Sequence, residues 1–233
     1  MAWPGEPCLR NRRVRKKAFT TGCVRGIIES VDFRTKWGDK AMGQRRRFAG
    51  FIGTLAVLAL LARTAAAAPA QVIIIRHAEK PDTGNQLNER GFQRANALVD
   101  FFEHAPAVTK YGTPAAIYAM APKGPDGSVR PIQTVTPLAK DLGLAIKTPY
   151  QREQLDRLVQ DIMGNPDYQG RMVLICWEHK VIPEMAQDFG GTSAPDFWAG
   201  EVFDRAWILN FTGDRVTSFQ DAPEHVLPGD SAQ

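Results

Sequence analysis

Two kinds of apolar pattern alternate along the chain after residue 70. Residues 72–75 (VIII) are four β-branched positions with no polar break, and Met172–Trp177 (MVLICW) is apolar throughout. Short runs of this kind, without period-two alternation, predict strands covered on both faces, as in the centre of a parallel sheet. Between them the period changes. In residues 87–104 (LNERGFQRANALVDFFEH), Phe92, Ala95, Leu98, Val99 and Phe102 recur at helical spacing, and Asn88 stands where an N-cap belongs. Residues 115–120 (AAIYAM) and 145–148 (AIKT) predict two more strands. A helix over 131–144 opens with Pro131 and closes near Gly143, and Pro137 inside it predicts a kink or an early stop. Helices follow over 152–163, stopped by Gly164-Asn165-Pro166, and over 181–190. Residues 205–211 and 215–220 predict a hairpin turning on Thr212-Gly213-Asp214.

Strands alternating with helices predict an α/β domain. The expected form is a three-layer α/β/α sandwich with a mostly parallel central sheet and an antiparallel C-terminal edge hairpin. In such sheets ligands bind outside the carboxyl ends of the strands. The loops after residues 75 and 177 are therefore the places to look for chemistry.

The first 70 residues have a different character. Residues 42–48 (MGQRRRF) are basic, residues 48–62 form an apolar run of 15, and residues 63–70 (RTAAAAPA) offer Ala-x-Ala sites. That order is the pattern of a secretory signal peptide, with cleavage expected after Ala68 or Ala70. The apolar run is short for a membrane span, which needs about 20 residues. The arginines do not decide between the general secretory and twin-arginine routes. Translation is expected to start at Met42, leaving 1–41 as a basic extension without a role in the fold; the rival is a cytoplasmic tail ahead of an anchor. The expected organisation is thus 1–41 extension, 42–70 signal peptide and 71–233 domain, with a periplasmic or secreted product and no stable membrane association after cleavage.

Charge divides at the same place. Residues 1–70 hold 14 Lys and Arg against 4 Asp and Glu, a net of +10, whereas 71–233 hold 15 against 21, a net of −6. The overall +4 is an average of unlike pieces, and the domain carries no basic footprint for nucleic acid. Only Cys176 follows residue 70, so the domain has no internal disulfide. No spaced carboxylate or His/Cys cluster calls for a metal, and no cofactor is expected. No heptad or long apolar edge specifies an oligomeric state.

Four histidines remain as candidates. His104 ends a helix, where an imidazolium suits the dipole, and His225 lies in a tail-like region between prolines. His77 and His179 instead follow the two most apolar strands, and His77 adjoins Arg76. An arginine fork suits phosphate, a neutral imidazole can attack phosphorus, and several cations must share the phosphoryl charge. Arg130, just before a helix whose N-terminus also favours an anion, supplies a second arginine.

Four segments in order resemble the histidine phosphatase superfamily, which contains cofactor-dependent phosphoglycerate mutases, acid phosphatases and phosphohistidine phosphatases. RHAEK (76–80) resembles its Arg-His-Gly signature, with Ala78 in the glycine place. LNERGFQRA (87–95) resembles Leu-Thr-x-x-Gly-x-x-Gln-Ala, and VRPIQTVTPLAKDLGL (129–144) resembles the Arg-Ala-x-Gln-Thr-Ala stretch. VLICWEHKVIPEMA (173–186) resembles the strand leading to a second histidine, with Glu178-His179-Lys180 where Ser-His-Gly is usual. The resemblance covers almost all of 71–190. It implies an exported phosphomonoesterase acting on a small phosphorylated substrate, with His77 as a nucleophile forming a phosphohistidine. Arg76, Arg130 and His179 would hold the phosphoryl oxygens, and no metal is needed.

The same resemblance implies Glu153, in YQREQ (150–154), as the general acid. The plain alternative is an acidic residue in the first turn of its helix; Glu178 is a second candidate, and some compact members use neither. The loop 121–128 (APKGPDGS) is glycine-rich where a short Ser-x-x-x-Arg turn is usual, and Lys80, Lys123 and Lys180 would add charge near the mouth. Little room is left for a cap domain, so an open site is expected. The alternative function is a non-catalytic anion-binding domain on the same fold. A cysteine hydrolase using Cys176 and His179 is disfavoured because Cys176 lies inside an apolar strand, and a glycolytic mutase does not suit an exported protein.

Overall fold

The computed structural model describes residues 68–231. The extension and nearly all of the signal-peptide segment lie outside the described residues. The elements run β1 (Gln71–Arg76), α1 (Glu89–His104), β2 (Ala116–Ala119), α2 (Arg130–Asp141), β3 (Ile146–Lys147), α3 (Leu155–Gly164), β4 (Met172–Trp177), α4 (Ile182–Asp188), β5 (Arg205–Thr212) and β6 (Arg215–Pro223).

One six-stranded sheet has the order β3-β2-β4-β1-β5-β6. The pairs β1–β4, β2–β4 and β2–β3 are parallel, and β1–β5 and β5–β6 are antiparallel. β1 and β4 lie side by side at the centre, with Ile73 opposite Leu174 and Ile75 opposite Cys176. All six residues of each are buried. Val72, Ile74, Val173 and Ile175 enter the core with Leu158 and Ile162 of α3 and Ile182 and Met185 of α4. Ile73, Ile75, Leu174 and Cys176 enter the core with Leu98 and Phe102 of α1 and Val135 and Leu138 of α2. The missing alternation thus has its expected cause: both faces are covered, and each Ile contributes about 1.5–3 kcal/mol by burial.

The helices depart from expectation in instructive places. Asn88 caps α1 as its sequence predicts, its side chain accepting from the Gly91 N–H at 2.8 Å. The buried stripe of α1 is turned from the expected one, however: Gly91 and Arg94 face inward and Phe92 is 42% exposed. The cause is Glu79, whose carbonyl packs where a β-carbon on residue 91 would stand, so only glycine admits the close approach of α1. Pro137 does not stop α2, which continues to Asp141. Glu153 is not in the first turn of a helix: α3 begins at Leu155 with Gln154 as its N-cap residue, and Asp156 is its first-turn acid. The segment after β6 is not a loose tail, because Glu224 and Asp230 are drawn against Arg94 of α1.

Candidate active site

Parallel pairing of β1 with β4 makes the two central strands end together, and the ladder continues one step past β1, with His77 N–H donating to the Trp177 carbonyl at 3.0 Å. His77 and His179 therefore leave the sheet at the same edge. His77 is only 3% exposed. Its Nδ1 lies 2.7 Å from the Ala78 carbonyl oxygen. A carbonyl only accepts, so Nδ1 carries the hydrogen and Nε2 keeps its lone pair. Burial pushes the imidazole down to about 4, opposed by the Ala78 carbonyl and assisted by the charges of Arg76, Arg130 and His179. At neutral pH the ring is neutral.

The peptide that orients His77 is gripped from two sides. Ala78 N–H donates to Thr134 Oγ1 at 2.9 Å, and that hydroxyl donates to the Arg130 carbonyl at 2.8 Å. Glu79 receives Arg94 Nη2 at 2.8 Å and Arg90 Nε at 3.1 Å. The other edge of Arg94 meets Glu224 at 3.1 Å and Asp230 at 2.7 Å. Glu79 is thus spent on anchoring the loop after β1, while Lys80 is exposed.

Arg76 is 2% exposed and turns its guanidinium under the loop of residues 199–203. Nη1 donates to the carbonyls of Ala199, Gly200 and Val202 at 3.2, 2.9 and 2.7 Å. The guanidinium carbon sits 3.7 Å from the centre of the Phe203 ring. Nε and Nη2 are buried with no hydrogen-bond partner. Burial lowers this group to about 10, against the attraction of Glu178 first and Glu79 next, so it stays charged at neutral pH.

Arg130 opens α2 and donates from Nε to the Gln86 carbonyl at 3.1 Å and from Nη2 to that of Gly84. Burial lowers its pKa, and its charge reaches His77. His179 is held lower than usual by burial and by Arg76, with Glu178 acting the other way. Its Nδ1 is 3.1 Å from Glu178 Oε1, an ion-pair distance without hydrogen-bond alignment. Glu178 Oε2 receives Arg152 Nε at 2.9 Å, and Arg152 Nη1 reaches Glu153 at 3.1 Å. Glu153 is therefore a surface carboxylate joined to the centre only through Arg152.

The expected open mouth is not found. A β-carbon on Gly200 would stand 3.6 Å from His179 Nε2, and the Phe203 ring is 6.3 Å from that of His77. The connection from α4 to β5, invisible as a lid in its composition, covers both histidines. Cavities of about 300 and 430 Å³ lie beside this cover, one against Trp198 and Trp207, the other against Glu79 and Arg94, and His77 lines neither. Lys123 and Lys180 are exposed. Cys176 is buried in the core between β1 and α2, and burial pushes its thiol up, which leaves no thiolate for nucleophilic work. Among the described residues no group of three or more His, Cys, Asp or Glu is placed to hold a metal.

Sequence reading missed Arg94, Thr134 and Phe203. Arg94 had a signal: a charged residue three positions from Gly91 and four from Leu98, on the apolar stripe, needs acidic partners.

No protein-family model matches the sequence, and no curated protein resembles it in sequence. Solved structures are similar in fold. SixA of Agrobacterium tumefaciens, assigned as a phosphohistidine phosphatase, is 18% identical with a TM-score of 0.44, over 66% of this chain and 99% of that one. A phosphoglycerate mutase of Plasmodium falciparum is 11% identical with a TM-score of 0.42, over 70% and 96%. A phosphoserine phosphatase of Entamoeba histolytica, solved with phosphoserine, is 14% identical with a TM-score of 0.37, over 64% and 95%. At such identities the likeness concerns the fold, and function rests on the site.

Proposed function

We propose that this chain is an exported phosphomonoesterase of the histidine phosphatase kind, working through a phosphohistidine on His77. The observation that carries the reading is the pairing of a neutral, buried His77, its Nε2 lone pair free, with the adjoining buried Arg76, two of whose nitrogens have no partner. Buried donors without partners are costly, and a phosphoryl oxygen repays that cost.

In this reading His77 Nε2 attacks phosphorus while the bond to the ester oxygen breaks. Arg76, Arg130 and His179 take up the charge of the phosphoryl oxygens. Water then attacks the phosphohistidine, and phosphate leaves as His77 is restored. The cover over the site favours a small phosphomonoester, admitted when residues 199–203 move aside. The basic, apolar and small-residue order of 42–70 is what supports export in this reading.

The test is turnover of an aryl phosphate by the purified protein, with labelled phosphate trapped by alkaline quench. A label stable in base and labile in acid, lost in His77→Ala, is the expected result. A chain that binds phosphate yet gives neither turnover nor trapped label would instead be the anion-binding module.

A further inference from the structure

The groups assigned so far handle the phosphoryl group, and none gives the proton that a departing alkoxide or phenoxide requires. Of the nearby carboxylates, Glu201 of the covering loop is exposed, and three others are poorly placed to give it. Glu79 is consumed by Arg90 and Arg94. Glu153 has a side chain 66% exposed and an ion pair with Arg152 on the surface. Glu178 is already paired with Arg152 Nε at 2.9 Å. What Glu178 does face is His179 Nδ1, at 3.1 Å, a buried nitrogen with no other partner. Side-chain exposure falls steadily along this row, from 66% at Glu153 to 39% at Arg152, 18% at Glu178 and 14% at His179.

We propose that protonated His179 is the general acid for the leaving group, that Glu178 is the positioning residue holding its imidazolium, and that Arg152 fixes Glu178 in place. The proposal rests on the phosphatase reading above. As His77 Nε2 bonds to phosphorus, the phosphorus–oxygen bond breaks and His179 Nε2 gives its proton to the leaving oxygen. In the second step the attacking water loses a proton to His179 Nε2 as the phosphorus–nitrogen bond breaks, which restores both rings. A carboxylate beside Nδ1 supports this because it stabilises the charged ring in the form that presents Nε2–H to the substrate.

The charged groups around His179 fit the cycle. Burial first, then Arg76 from β1, Lys180 on its own loop and Arg152 before α3, all disfavour a second proton, and Glu178 opposes them. A bound phosphate dianion offsets Arg76, so the ring takes up its proton together with substrate.

The experiment measures kcat for full-length wild type, Glu178→Gln and Arg152→Gln on aryl phosphates from 2,4-dinitrophenyl to unsubstituted phenyl. A nitrated phenoxide leaves without a proton, whereas phenoxide needs one. Glu178→Gln should lose about 100-fold on phenyl phosphate and no more than about 5-fold on the dinitrophenyl ester. The alkaline fall of kcat on phenyl phosphate should move to lower pH in the same variant. Arg152→Gln, altered at a half-exposed side chain, should lose phenyl phosphate turnover selectively but by less, and that selectivity between the two esters serves if Glu178→Gln does not fold. Equal losses on the two esters, or an unmoved alkaline limb, would overturn the proposal. Failure of wild type to cleave even the dinitrophenyl ester would instead remove the phosphatase reading.

Discussion

Arg76 and Arg94 are buried to the same extent, 2% exposed each, and are satisfied in opposite ways. Arg94 spends its donors on three carboxylates, Glu79, Glu224 and Asp230, and its pKa is raised despite its burial, through hydrogen bonds to Asp230 and Glu79 and the charge of Glu224. Arg76 has three backbone carbonyls on one nitrogen, an aromatic ring beneath it and two nitrogens with no partner, and burial lowers it. One arginine is complete within the protein. The other leaves two buried nitrogens without a partner, which in the proposed function an incoming anion would complete. A buried cation of the first kind belongs to stability, and one of the second kind to function, because an unsatisfied charge is tolerated where something pays for it later.

Four measurements sharpen or break that contrast. The largest effect is expected at the structural arginine. Arg94→Met strands Glu79, Glu224 and Asp230 without their counter-charge and should cost about 3–5 kcal/mol in urea unfolding. A loss below about 1 kcal/mol would mean that the cluster is not what holds the segment after β6. Arg76→Met should reverse the profile, with kcat/KM down about 10²–10³-fold and unfolding free energy changed by at most about 1 kcal/mol. If both variants lost stability equally, the distinction between the two sites would fall.

A pH series addresses the same centre without changing Arg76. His77 has an ordinary value of 6.5 and about 4 in the fold. Between those values the unfolded chain binds the extra proton, so stability is full above about 6.5 and declines as pH falls through 4. The share due to His77 is about 3 kcal/mol, read as the difference between wild-type and His77→Ala unfolding curves at each pH. Coincident pH slopes in the two proteins would remove the buried, neutral imidazole. The smallest effect is expected at Arg130, half-buried and already bonded to the Gly84 and Gln86 carbonyls. Arg130→Ala should weaken vanadate inhibition about tenfold, and unchanged inhibition would take Arg130 out of the anion site.

Much of this is legible in the amino-acid sequence. Unbroken apolar runs at 72–75 and 172–177 declare strands covered on both faces, since a half-exposed strand would alternate. Asn88 declares a helix start, because its short side chain can satisfy a free N–H three residues on. The pairing of His77 with His179 followed from the rule that such strands present ligands at their carboxyl ends. What failed was local. Phe92 looked like core because spacing cannot detect a carbonyl packed against Gly91. Of the kink or early break that Pro137 predicts, the early break does not occur, since α2 runs on to Asp141.

The sequence by itself determined the parallel centre of the sheet and the edge where Arg76, His77 and His179 emerge, because the periods of strand and helix are local properties of the backbone. Tertiary structure alone decided which charges are spent and which are spare. That Glu79 belongs to Arg94, that Arg152 holds Glu178, and that residues 199–203 close over Arg76 depend on contacts between residues up to 126 positions apart, as between Arg76 and Val202. Electrostatic pairing acts through space over a few ångströms, and no spacing along the chain encodes that distance.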